Sequence, residues 1–277
     1  MELVGQVALG GATFSIGPDR ERSRDIATIR AAADAGIRIF DSARAYAPVN
    51  DPQHNEELFA EALKGRSDVL VATKGGHFRT GQETWDVDNS AARLRRDVDT
   101  SLVALGVERI GLYYLHRADA SSSIGESVST LDALRREGKI GRIGLSNVTA
   151  SQLEEARHIT SIDAVQNRHG VADTESAEVL RLCEKLNIPF FAYSPLRRDD
   201  GRPYADGFPR LSALAADRGI PPARLLLRAL LESSPVLSVV SGASRAESAM
   251  DSAAALTEVW DEELKSAWQK DVLTARR

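Results

Sequence analysis

Only one cysteine, Cys183, occurs in 277 residues. A lone thiol cannot close an internal disulfide, so nothing here calls for an oxidising compartment, and a reducing cytoplasm is the expected setting. Its spacing from Val179, Leu182 and Leu186 puts it in one helical stripe, where it reads as a small buried hydrophobe. The start of the chain, MELVGQVALGG, has neither the basic opening nor the long apolar run of a secretory signal, so export is not expected. No uninterrupted apolar stretch reaches the length that spans a bilayer. Basic excess is missing too. Lys and Arg number 35 against 40 Asp and Glu, a net charge of −5 and a pI near 5.7, which argues against nucleic acid or an anionic membrane as partner. Low-complexity tracts and long runs of like charge are absent, and no metal ligands are expected. With 43% hydrophobic and 27% charged residues, the composition is that of a globular protein able to bury a full core.

What is present is alternation. Short apolar runs at 7–9, 37–40, 69–72, 110–115, 140–144, 164–165, 190–192 and 236–240 are separated by longer amphipathic stretches. The runs lack strict polar alternation, as buried parallel strands do when both faces are covered. Helical spacing links Ile26, Ile29 and Ala33, and again Val128, Leu131 and Leu134. Gly36, Gly106 and Gly138 fall just before strands, where a glycine ends a helix. Eight such units with no linker-sized gap predict a single α/β domain over 1–277, as a closed barrel or a doubly wound sheet. GGATFS at 10–15 does not match G-x-G-x-x-G after the first strand, which favours the (β/α)₈ TIM barrel. The stretch 194–209, rich in Arg, Asp, Gly and Pro, reads as a long mobile loop.

Such barrels build their sites at the C-terminal strand ends. In order, those ends carry Asp41 with Tyr46 close behind, Lys74, His116, Ser146 with Asn147, Gln166 with Asn167, Tyr193 with Ser194, and Ser241 with Gly242. All are expected to face one mouth. A strand-terminal Asp often only caps a loop, and a loop Tyr often only packs. Lys74 is different. It closes the apolar VLVATK, and a buried ammonium needs a carboxylate, which Asp41 on the neighbouring strand can supply.

At these positions the chain resembles the aldo-keto reductase family. DSARAY (41–46), VATKGG (71–76), LYYLHRAD (112–119), GLSN (144–147), AYSPL (192–196) and SGASRAES (241–248) are similar to its motifs, in order and with similar spacing. The resemblance implies NADPH as cofactor (NADH less so) and a small carbonyl compound as the partner, with the protein a monomer or weak oligomer. It implies a catalytic tetrad of Asp41, Tyr46, Lys74 and His116, with Tyr46 as proton donor and His116 orienting the carbonyl oxygen. Lys74 is expected to lower the Tyr46 pKa from about 10.

The same resemblance assigns Ser146, Asn147 and Gln166 to the nicotinamide amide, with Tyr193 stacked on its ring. Asp41 and the close backbone of Gly10, Gly11 and Ala12 also border the cofactor. Ser194 and Leu196 lie along the pyrophosphate, while Gly242, Ser244 and Arg245 take the 2′-phosphate and Asp251 the adenine. The chain departs from the family at Ser241, where many members have Pro, at Ser252, where Asn is usual, at His169–Gly170, where Tyr-Asn is common, and at Gly111. Trp85, His77, Arg117, Arg197 and Arg198 are candidate substrate-pocket residues. Two other readings compete: a Schiff-base lyase using Lys74, and a non-catalytic NADP(H)-binding accessory subunit.

Overall fold

The computed structural model describes residues 2–16, 21–118, 123–197 and 203–275. In chain order the strands are β1 (Val7–Gly10), β2 (Ile39–Asp41), β3 (Leu70–Gly75), β4 (His77–Arg79), β5 (Trp85–Val87), β6 (Leu112–Leu115), β7 (Ile143–Ser146), β8 (Ala164–Arg168), β9 (Phe190–Tyr193) and β10 (Leu237–Gly242). Eight of them close a parallel barrel in the order β1-β10-β9-β8-β7-β6-β3-β2. The helices around it are α1 (Arg22–Asp34), α2 (His54–Ala62), α3 (Ala91–Leu105), α4 (Ile124–Arg136), α5 (Ala150–Arg157), α6 (Ala177–Leu186), α7 (Pro209–Asp217), α8 (Pro222–Leu231), α9 (Ala246–Ala254) and α10 (Glu262–Ala275). This is the (β/α)₈ barrel.

Side chains two apart share a face, and the core divides accordingly. Ala8, Ile39, Leu70, Ala72, Leu112, Tyr114, Ala164, Phe191 and Val240 pack together inside the barrel. Their neighbours Val7, Leu9, Phe40, Tyr113, Leu115, Val165, Phe190 and Val239 pack outward against the helices. Val128, Leu131 and Leu134, the stripe read on α4, are fully buried, each contributing roughly 1.5–3 kcal/mol. Cys183 is buried as expected, and burial pushes its thiol up to about 12, so it is inert. A Cβ on Gly144 would collide with the Tyr114 ring that fills the barrel, so glycine is required there.

Helix ends follow the sequence signals. Gly36, Gly106 and Gly138 have φ of 106°, 65° and 82°, the left-handed side of the map that glycine enters freely. Ser90 caps α3 by accepting from Arg93 N, and Thr149 and Gln152 form a capping box at α5. The hairpin β4–β5 was not expected. It pairs His77 with Val87 and Arg79 with Trp85, and three-residue strands are too short to show a period. In 194–209, residues 203–209 form a 3-10 turn at Tyr204–Gly207 and the start of α7, while 198–202, including Arg198, and Asp119 lie outside the described residues. No helix among the described residues is long and apolar enough to cross a membrane.

Candidate active site

The inward-facing series runs past the apolar layer into polar residues: Ile39 is followed by Asp41, Ala72 by Lys74, Tyr114 by His116, Gly144 by Ser146, Ala164 by Gln166 and Phe191 by Tyr193. The period of two that packs the barrel therefore aims these side chains into its mouth. Two strand-end residues were misread. Asn167 sits on the opposite face of β8, accepting from Val148 N at 3.1 Å and donating to Val148 O at 2.7 Å. Ser241 is also buried, its hydroxyl 3.0 Å from that of Ser252. Two departures from the family pattern thus satisfy one another.

Lys74 is fully buried and uses all three of its N–H groups as hydrogen-bond donors. It donates to Asp41 Oδ2 at 2.7 Å, the Ser42 carbonyl at 3.0 Å and the Tyr46 hydroxyl oxygen at 3.1 Å. An ammonium only donates, so the phenol's own O–H remains available to another acceptor. Asp41 Oδ1 accepts from Gln166 Nε2 at 2.8 Å, a bond that crosses the barrel. The His116 ring meets Tyr46 edge to face at 5.8 Å and His77 at 4.8 Å. His116 Nδ1 is buried without a hydrogen-bond partner among the described residues.

Burial pushes the Tyr46 phenol above 10, and the Asp41 charge adds to the rise; the pull of Lys74 does not overcome them. The expected lowering is therefore corrected. Lys74 does pull the value down as expected, but a dry site disfavours tyrosinate more strongly. Burial also works against the Lys74 ammonium, but Asp41 and Tyr46 outweigh it and hold its pKa above 10.5.

The two imidazoles go the other way. Burial, then the Lys74, His77 and Arg117 charges, keep His116 neutral well below 6.5, while burial and Arg117 lower His77 to about 4. A depressed folded pKa contributes stability that is present above the unfolded value of about 6.5 and lost as pH falls through the folded one. The urea midpoint should therefore drop as pH falls from about 6.5 toward 5, and His77→Leu should flatten part of that slope; an unchanged slope would show that His77 charges freely.

The rest of the mouth is built from β1 and β7–β10. Tyr193 is half-buried, and its hydroxyl donates to Asn147 Oδ1 at 2.6 Å. Asn147 Nδ2 in turn donates to the His116 carbonyl at 3.0 Å and to Ser146 Oγ at 3.0 Å. Asn147 and Ser194 take φ of 56° and 55° as the chain leaves β7 and β9. Gly10 pairs with Gly242 and Asp41, and Gly11 N donates to the Asp41 carbonyl at 2.8 Å, with Ala12 opening a 3-10 turn. Leu196 is partly buried against the core. Ser244 and Arg245 are exposed at the start of α9, which has no side-chain cap. Asp251 is taken by Arg224, at 2.9 Å from Nε and 2.5 Å from Nη2.

Beside Tyr46, Trp85 Nε1 of the hairpin donates to the Ala45 carbonyl at 3.1 Å. A groove of about 960 Å³ runs between the hairpin and residues 48–50, lined by Asn50, Arg79, Gln82, Glu83 and Trp85 among others. Sequence reasoning passed over the residues behind the site, Arg44, Asn55 and Glu56, because nothing local signals contacts made across the fold.

Known proteins share this fold. Residues 6–270 match the profile of the Aldo/keto reductase family. An uncharacterised oxidoreductase of Schizosaccharomyces pombe is 30% identical over 82% of this chain and 72% of its own length. Pyridoxine 4-dehydrogenase of Escherichia coli is 30% identical over 82% of this chain and 79% of its own. Among solved structures, a glycerol dehydrogenase from Gluconobacter oxydans superposes with a TM-score of 0.81 at 26% identity, covering 97% of this chain and 91% of that one. An aldo/keto reductase from Klebsiella pneumoniae, in complex with NADP and acetate, gives 0.80 at 26% identity, with 96% and 91% covered. A closed eight-stranded barrel with a polar mouth, and a family profile that spans nearly the whole chain, agree: the protein is a member of the aldo-keto reductase family of oxidoreductases.

Proposed function

We propose that the chain reduces an aldehyde or ketone with NADPH, Tyr46 acting as general acid. The observation that carries this reading is the Lys74–Tyr46 hydrogen bond, which occupies the phenol oxygen and leaves its proton to give. When bound, NADPH supplies the hydride. The carbonyl oxygen sits between Tyr46 O–H and His116 Nε2, and accepts the Tyr46 proton as negative charge develops on it. His116, kept neutral by burial, donates to the same oxygen and orients it. Lys74 faces the phenolate that remains and stabilises it, and Asp41 holds Lys74 charged and in place.

The residues fit a phosphorylated dinucleotide. Tyr193, held by Asn147, offers a half-buried ring for stacking, and the uncapped start of α9 offers backbone donors beside Ser244 and Arg245 to a phosphate. The Klebsiella relative, solved with NADP, supports this assignment. Arg245→Ala is expected to weaken NADPH roughly tenfold, the loss of one charge-assisted contact, and to leave NADH unchanged in fluorescence titrations. Equal effects on the two cofactors would move the selectivity elsewhere.

A panel of aldehydes, ketoses, keto-sugars and pyridoxal, with and without an anionic group, tests the activity through NADPH oxidation. Tight NADPH binding without turnover of any of them would favour an accessory, non-catalytic role. The lyase reading needs an unprotonated amine at Lys74. All three N–H bonds of that residue are used and its pKa is held up, so borohydride is expected to trap no substrate on it.

A further inference from the structure

Two consecutive residues at the start of α2 grip the chain around every proton-handling group but His116. Asn55 is fully buried. Its Oδ1 accepts from Ser42 Oγ at 2.7 Å, and its Nδ2 donates to the Gly11 carbonyl at 2.9 Å and to Ser15 Oγ at 2.7 Å. Glu56 is 1% exposed. It accepts from Thr73 Oγ1 at 2.6 Å through one oxygen and from Arg44 Nη1 at 3.2 Å through the other.

The gripped residues are the neighbours that matter. Ser42 follows Asp41, and its carbonyl is one of the three acceptors of Lys74. Thr73 precedes Lys74 on β3, and as an odd member of the strand it faces out of the barrel toward α2. Arg44 opens the 3-10 turn that ends at Tyr46. Of these contacts, the bond from Asn55 to the Gly11 carbonyl reaches the wall of the mouth, and the others lie behind it. A buried ion pair is also a poor way to gain stability, because desolvation offsets most of its attraction; what it supplies well is a fixed geometry.

We propose that Asn55 and Glu56 are positioning residues that set the separation between the Lys74 ammonium and the Tyr46 hydroxyl, holding β2, its following turn and β3 in register from behind. The inference rests on the reading of Tyr46 as proton donor. Helix α2 then does more than cover the barrel: its first turn is the jig in which the acid is held.

Glu56→Gln tests it, since the amide still accepts from Thr73 but loses the charge that holds Arg44. The expected result is a kcat lower by about 10- to 100-fold, NADPH affinity within about twofold, and a larger kinetic isotope effect with 4-deuterated NADPH as the chemical step slows. On a Tyr46→Phe background the same change should cost less than about twofold, because there is no hydroxyl left to misplace. An equal loss on both backgrounds, or an unchanged kcat with only a lower melting temperature, overturns the proposal in favour of a purely structural pair. Should Glu56→Gln not fold, Thr73→Val removes a single hydroxyl–carboxylate bond and is expected to move kcat in the same direction by a few-fold.

A readout free of turnover separates this idea from the activity itself. In protein labelled with ¹³C-tyrosine, the Tyr46 resonance, assigned through Tyr46→Phe, should shift or broaden in Glu56→Gln and Thr73→Val while that of Tyr204 stays. If the wild type reduces no carbonyl but Tyr46 responds in this way, the proposed function falls and the positioning role stands. If Tyr46 does not respond, the positioning role falls.

Discussion

Tyr46→Phe is expected to lower kcat by about 10²- to 10⁴-fold while NADPH affinity stays within about twofold. The substitution removes one oxygen and leaves a ring of the same size. The oxygen it removes accepts from Lys74 at 3.1 Å and, in the proposed reaction, carries the proton offered to the substrate. The T-shaped contact between the ring and His116 survives, so the loss reports proton delivery rather than collapse of the pocket. Because burial holds the phenol above 10, reductive turnover in the wild type should also stay level up to about pH 9, with no loss from a titrating acid. Stopped-flow single turnovers with a reactive aldehyde check the first point, and a pH profile of kcat the second. A variant with undiminished rate would remove Tyr46 from the chemistry.

The second large effect is on stability. Lys74→Met replaces a fully buried ammonium with an apolar chain of similar length and strands Asp41, which is left with Gln166 as its side-chain donor. Breaking a buried pair on one side costs about 3–5 kcal/mol. For a chain of 277 residues that corresponds to a melting temperature lower by about 6–20 °C. Adding Asp41→Asn removes the stranded charge and should recover a good part of the loss without restoring activity. Urea denaturation of the wild type, the single and the double variant separates the terms. If the double is no more stable than the single, the uncompensated carboxylate was not the source of the cost.

The same residues explain how much of this protein can be read in advance. All eight barrel strands lie on or beside the apolar runs, but shifted. The runs at 110–115 and 140–144 begin early because Ile110 and Ile140, apolar and buried, form only an isolated bridge ahead of β6 and β7. Several strands end late because their last members are polar: Asp41, Lys74, Ser146, Gln166 and Tyr193 belong to the ladder while looking like loop. Those misplaced ends are the candidate site, since a residue inside a barrel mouth has strand geometry without strand chemistry.

Apart from the Lys74–Asp41 pair, contacts across the fold were not legible. The hairpin that ties Trp85 to Ala45, the Arg44–Glu56–Thr73 network and the outward turn of Asn167 all join residues whose spacing carries no period. The pKa of Tyr46 was misjudged for a related reason: charge is visible in a sequence, but depth of burial is not.

The hydrogen bond from Gln166 to Asp41 spans the bore from β8 to the strand facing it, β2. It works as a tie between two halves of one circuit, the half that carries the acid and the half with the amide-lined wall. A molecule that drew the Gln166 amide to itself would leave Asp41 with Lys74 as its side-chain partner, so the two walls of the mouth are joined through a single side-chain amide.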